Sequence, residues 1–213
     1  MWIDGEQFAA SPWQAASVFD IPDGETEWRV RNTAKHDGTY LASSTETVSE
    51  WTFRSTGSTA DYTEQLLPML QAYYDVDLDA AGTAGAGRKA GTPVELALEL
   101  GHLAGAIDSD SVTAATRVSS VAGGEWTPVT LAAGETDAPS GAVDPGPDDF
   151  VESRAFVSAY VASISAPDAG AWIDLRVTAM DAAGNTFSQE IVRAFEVAPA
   201  KAGLSKVPRG GRY

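Results

Sequence analysis

One segment constrains this chain more than any other. Trp172 to Val197 reads as a single β-hairpin. Ile173, Leu175, Val177 and Ala179 alternate with more polar neighbours, which is the period of a strand with one buried face. Between the two arms, Asp181-Ala-Ala-Gly-Asn185 supplies residue types that accept the backbone angles of a tight turn. A hairpin of this kind buries one face against a second sheet, so it predicts an antiparallel sandwich.

Other segments repeat the pattern. Trp28 and Val30 share one face, with Glu27, Arg29 and Arg31 on the other. Trp51 and Phe53 form a second inward pair. Val94, Leu96, Leu98 and Leu100 alternate with Glu95, Ala97 and Glu99, and Thr92-Pro93 before them favours strand over helix. Val112–Val121, Trp126–Leu131 and Ala155–Ser165 read as further strands, with Trp126 expected in the core beside Trp28 and Trp51. Pro68 cannot donate to a ladder, so the apolar run around it belongs at an edge, a bulge or a strand start. Residues 80–91 form a Gly- and Ala-rich loop expected to be mobile. Residues 132–153 form a long acidic loop that is either functional or disordered.

Strands separated by turn signals at this spacing predict an all-β chain built as two tandem antiparallel β-sandwich domains, fibronectin-III/Ig-like in kind. The first is expected over 1–104 and the second over 112–198, with a linker at 105–111 and a basic tail at 199–213. That tail holds Lys201, Lys206, Arg209 and Arg212 and no acidic residue.

The rest of the chain is strongly acidic, with 14 basic against 30 acidic residues and a net charge of −16. Phosphate binding needs clustered Lys and Arg, so nucleic acid is not an expected partner, and anionic membrane surfaces are disfavoured for the same reason. No cysteine is present, which removes disulfides, thiolate catalysis and thiolate zinc sites. No apolar run approaches the ~20 residues of a membrane span. The N-terminal stretch has neither the basic region nor the apolar stretch of a signal peptide, so any export signal is expected upstream of this segment.

Catalytic chemistry finds little to work with. His36 and His102 are the only histidines, and both read as ordinary turn or strand-end residues. His36-Asp37-Gly38-Thr39 is similar to the His-Gly-Thr block of subtilisin-like proteases, but Asp37 interrupts it and no nucleophilic serine segment accompanies it. Asp75, Asp77 and Asp79 are spaced by two and would share a strand face. Three carboxylates in a row repel unless solvated or bridged, so they are calcium candidates, with a simple wet strand face as the competing reading. Trp13 and Trp172 are candidate binding residues, because they fit no inward position clearly.

Two groups of segments carry a family likeness. The first is Glu50-Trp-Thr-Phe-Arg-Ser55 with Gln65–Asp79 and Val94–Leu98. The second is Val118-Ser-Ser-Val-Ala-Gly-Gly-Glu-Trp126-Thr-Pro-Val129 with Leu175–Asn185 and Gln189–Phe195. Together they resemble the C-terminal extension of large secreted subtilisin-like (S8 family) serine proteases of actinobacteria. The resemblance covers most of residues 27–197. It implies an extracellular, non-catalytic accessory region that stabilises an upstream or separately cleaved protease domain, or docks a protein substrate or partner. No catalytic residue carries over, because none of the protease motifs falls within the chain. A stand-alone adhesion or carbohydrate-binding module is the alternative.

Overall fold

The computed structural model describes residues 1–7, 24–56, 66–80, 82–143 and 153–201. Among them there is no helix, and hence none long and apolar enough to cross a membrane.

The strands, in chain order, begin with two short pieces, β1 (Trp2–Ile3) and β2 (Glu6–Gln7). The long hairpin strands β3 (Thr26–Lys35) and β4 (Glu46–Ser55) follow. Next come β5 (Gln71–Asp75), the two-residue β6 (Thr83–Ala84) and β7 (Val94–Leu103). After these lie β8 (Val112–Val121), β9 (Thr127–Pro128) and β10 (Leu131–Ala133). The chain finishes with β11 (Arg154–Ile164), β12 (Ala171–Asp181) and β13 (Thr186–Val197).

They build two sheets. The larger runs β2-β1-β3-β4-β13-β12-β8-β9, with β6 joining β13 in parallel. The smaller runs β10-β11-β7-β5. Alternation decides which side chains meet between them. Leu96, Leu98 and Leu100 of β7 are buried against Ile173, Leu175 and Val177 of β12 in one hydrophobic cluster, joined by Phe187 and Phe195 of β13. A second cluster, Ile3, Trp28 and Phe53, lies under β1, β3 and β4.

This arrangement corrects the tandem-domain expectation. Strand β4, from the proposed first domain, pairs with β13 from the second, and β7 pairs with β11. Both halves share one core. Residues 105–111 therefore connect β7 in one sheet to β8 in the other, and do not link two bodies. A one-face-buried strand finds its lowest energy beside whichever strand completes its ladder, and here that strand lies in the other half of the chain.

The hairpin that dominates the sequence forms as expected. Leu175 faces Ile191 and Ala179 faces Phe187. Its turn closes through Asp181 N–H donating to Asn185 O at 3.1 Å and Gly184 N–H to Asp181 O at 3.2 Å, with Gly184 at φ +89°. A bulge between Ile173 and Leu175 turns Asp174 inward. There its Oδ1 accepts from Arg193 N at 2.8 Å, and its Oδ2 accepts from Gly123 N at 3.3 Å. A second bulge, in β11, brings the chain against Gly101, where an added Cβ would stand 2.9 Å from Ala155 O. Strand β5 begins after Pro68, and Leu70 O accepts a 2.7 Å bond from Trp51 Nε1.

The loop over residues 82–91 is anchored where mobility was expected. The Arg88 side chain is buried. It donates to Ala198 O at 3.2 Å, to Thr92 O at 3.3 Å and to Pro167 O, and its backbone O accepts from Lys201 N at 3.0 Å. Small residues let this loop approach the sheet, and one guanidinium then satisfies three carbonyls. Replacing Arg88 by alanine is expected to cost about 1.5–3 kcal/mol. Hydrogen exchange at Ala198 and Lys201 should rise with it. Unchanged protection there would show that the clamp is not what holds the segment.

The long acidic loop is likewise tied down where it is described. Pro139 O and Gly141 O accept from the backbone N–H of Val157 and Phe156. The stretch with Asp144, Asp148, Asp149 and Glu152 lies outside the described residues, as does the tail from residue 202.

Candidate functional site

The expected calcium site does not assemble. Asp75 ends β5, Asp77 lies beyond it, and all three aspartates are exposed. The Asp79 carboxylate accepts from Thr83 N at 3.0 Å, which fixes the turn into β6. Among the described residues, no group of three His, Asp or Glu side chains is placed to hold a metal ion. The chain turns before a third carboxylate can share the strand face. Trp13 lies outside the described residues.

The arrangement closest to catalytic machinery is one that the strand-end reading of His102 missed. His102 Nε2, on β7, lies 3.1 Å from Asp181 Oδ2, on β12, and both side chains are 0% exposed. The contact is close without the alignment of a linear hydrogen bond. Asn185 Nδ2 donates to the same carboxylate oxygen at 2.7 Å and to Asp108 O at 2.9 Å, while Asn185 N donates to Asp181 Oδ1 at 2.8 Å. Burial alone would push the Asp181 carboxyl up. The His102 contact and the two Asn185 donors outweigh it and hold the group below the ordinary aspartate value. Phe156 packs edge-on against the imidazole at 6.4 Å.

A base oriented by an acid recurs in nucleophilic enzymes, but it needs an activated hydroxyl and a path for substrate. This pair is sealed between the sheets, and the bonds it makes hold the β12–β13 turn and the 104–111 connection. Parity could have revealed it. His102 continues the inward series of Leu96, Leu98 and Leu100, and Asp181 continues that of Ile173 to Ala179.

The accessible candidate is the outer face of the larger sheet. Trp2 opposes Arg29 and carries its guanidinium at 5.7 Å from the ring. Arg176 lies over Trp126 at 4.4 Å, and Arg193 over Trp172 at 5.8 Å. Trp126 is therefore half-exposed under an arginine and not in the core as its alternation predicted. Between these stacks runs a shallow groove of about 690 Å³, floored by Thr52, Thr116, Thr178 and Ser188 and edged by Met180. Cross-strand pairs cover much of the rest, with Arg29 2.9 Å and Arg31 3.2 Å from Glu50, and Arg176 2.6 Å from Glu190. Such exposed pairs each contribute only ~0–1 kcal/mol, so they order the surface more than they stabilise the fold.

One end of this face bears an apolar tip. The β3–β4 turn carries Tyr40, fully exposed, and Leu41, more than half exposed. The turn is nevertheless shaped. Asp37 Oδ1 accepts from Thr39 N at 2.9 Å, and His36 Nδ1 from Gly38 N at 3.1 Å. Ser44 N donates to Arg193 O at 2.7 Å, which joins the tip to the Trp172–Arg193 stack. His36 is thus a turn residue, as its sequence context predicted.

No family model, curated protein or solved structure matches the chain.

Proposed function

We propose that this chain is a non-catalytic accessory module, fibronectin-III/Ig-like in kind, of an extracellular subtilisin-like serine protease, and that it docks the catalytic domain through the outer face of its larger sheet. The protease context rests on the sequence resemblance. The docking reading is carried by one observation, the Tyr40–Leu41 tip, which is held in shape while presenting apolar side chains to solvent beside Trp172 and Arg193. Trp, Tyr and Arg are the residue types that dominate protein–protein binding energy. The sealed His102–Asp181 pair accords with an accessory role.

The alternative, a carbohydrate-binding or adhesion module, calls for an open aromatic platform. Each of Trp2, Trp126 and Trp172 has a guanidinium over its ring. A sugar would have to displace it, so the surface favours a protein partner.

The test pairs the isolated chain with the catalytic domain encoded in the same reading frame. The chain alone is expected neither to cleave casein nor to react with a serine-directed fluorophosphonate. It should bind the catalytic domain, and the Tyr40→Ser/Leu41→Ser double variant should raise Kd about 30-fold or more, the effect of losing a hot spot of about 2 kcal/mol. Labelling of the chain, or equal binding by the double variant, would overturn the proposal.

A further inference from the structure

We propose that the guanidinium of Arg117 and the hydroxyl-lined cleft beside it form a binding site for a small oxyanion, sulfate or phosphate in size. Arg117 sits in the middle of β8, opposite Val177, on the face that packs between the sheets, and is 3% exposed. None of its three side-chain nitrogens has a hydrogen-bond acceptor among the described residues. A guanidinium carries five N–H donors in a rigid fork that matches the paired oxygens of an oxyanion. A buried charge left without acceptors is among the most costly arrangements in a protein interior.

The cleft supplies a route and further donors. It measures about 480 Å³ and opens between the sheets where β8 and β9 meet the end of β11. Ser119, Thr127, Ser163 and Ser165 line it, together with Val129. Ser119 follows Arg117 on the same inward face of β8, opposite Leu175. Val129 N donates to Arg117 O at 2.9 Å, so the cleft wall and the arginine backbone are joined.

The interior around the guanidinium already registers the cost. Burial lowers Arg117 to about 10, and Tyr74, which faces it from β5, is raised by its own burial. An oxyanion bound here would neutralise the guanidinium without crossing the core, because the charge stands on the cleft side of the larger sheet. On a chain of net charge −16, a local site of this kind is needed to hold any anion.

The test titrates sodium sulfate and sodium phosphate into the full chain at constant ionic strength. A saturable rise in Tm of about 5–10 °C is expected at ~100 times Kd. The Arg117 Nε–Hε resonance should shift along the same curve. Arg117→Met should abolish the response, and Ser119→Ala should weaken it while leaving the guanidinium in place. An unsaturable rise shared by native chain and variants would be general salting-out and would overturn the proposal. So would a native Nε–Hε resonance that sulfate and phosphate leave unmoved, a measurement that needs no variant to fold.

Discussion

Replacing Asp181 by alanine is expected to destabilise the fold by about 3–5 kcal/mol, the cost of removing one partner from a buried ion pair. The variant strips His102 of its acidic neighbour at 3.1 Å and deletes the acceptor of two Asn185 bonds. Asn185 in turn loses the geometry that holds Asp108 O, so the β12–β13 turn and the 104–111 connection loosen together. Urea unfolding followed by tryptophan fluorescence measures the loss, and a change below about 1 kcal/mol would show that the two sheets are not fastened here. The pair also sets an acid limit. The carboxyl lies below its ordinary value of 3.8 in the folded state. Its contribution is therefore present above that value and lost as the pH falls through the lower, folded one. Asp181→Asn should accordingly flatten the stability profile below about pH 4, and an acid limb as steep as the native one would contradict the assignment.

The second large effect is expected at Trp28, whose replacement by alanine should cost about 3–5 kcal/mol. Trp28 is 2% exposed and stacks on Phe53 with ring centroids 6.2 Å apart. With Ile3 they are the fully buried members of the cluster under β1, β3 and β4, so little else can fill the void. Trp28→Phe is expected to cost far less. It keeps an aromatic ring against Phe53, and the indole N–H it removes has no acceptor among the described residues. Equal losses in the two variants would mean that the indole N–H, and not packing, holds the site.

These two positions illustrate how far sequence alone reaches. Local alternation placed Trp28, Phe53 and the Leu96–Leu100 series inward, because the strand period acts on each residue independently of its partner. The same parity pointed at His102 and Asp181, although polarity argued against burial. It failed at Trp126, which stands two residues after the Gly123-Gly124 turn, where the strand period no longer applies. It was silent on Arg117, since β8 carries small and polar residues on both faces and neither announces itself as the core side. Partner choice lay further out of reach. Whether β4 pairs within its own half or with β13 depends on edges far apart in sequence, and short-range pattern does not encode that. The outer-face site shares this limit, because the Trp172–Arg193 stack depends on a bulge and on the return of the β3–β4 turn.

The pairing of β4 with β13 also governs how the chain can acquire its structure. Ser49 and Gln189, whose side chains meet at 2.9 Å, are 140 positions apart. A hairpin made early in synthesis must wait with one edge open until the last strand arrives. Closing so large a loop gains nothing until the final ladder zips, so folding should be slow for the protein's size and should begin only near completion of the chain. Severing residues 105–111 would yield two pieces that each display unpaired strands, and these would seek each other or aggregate.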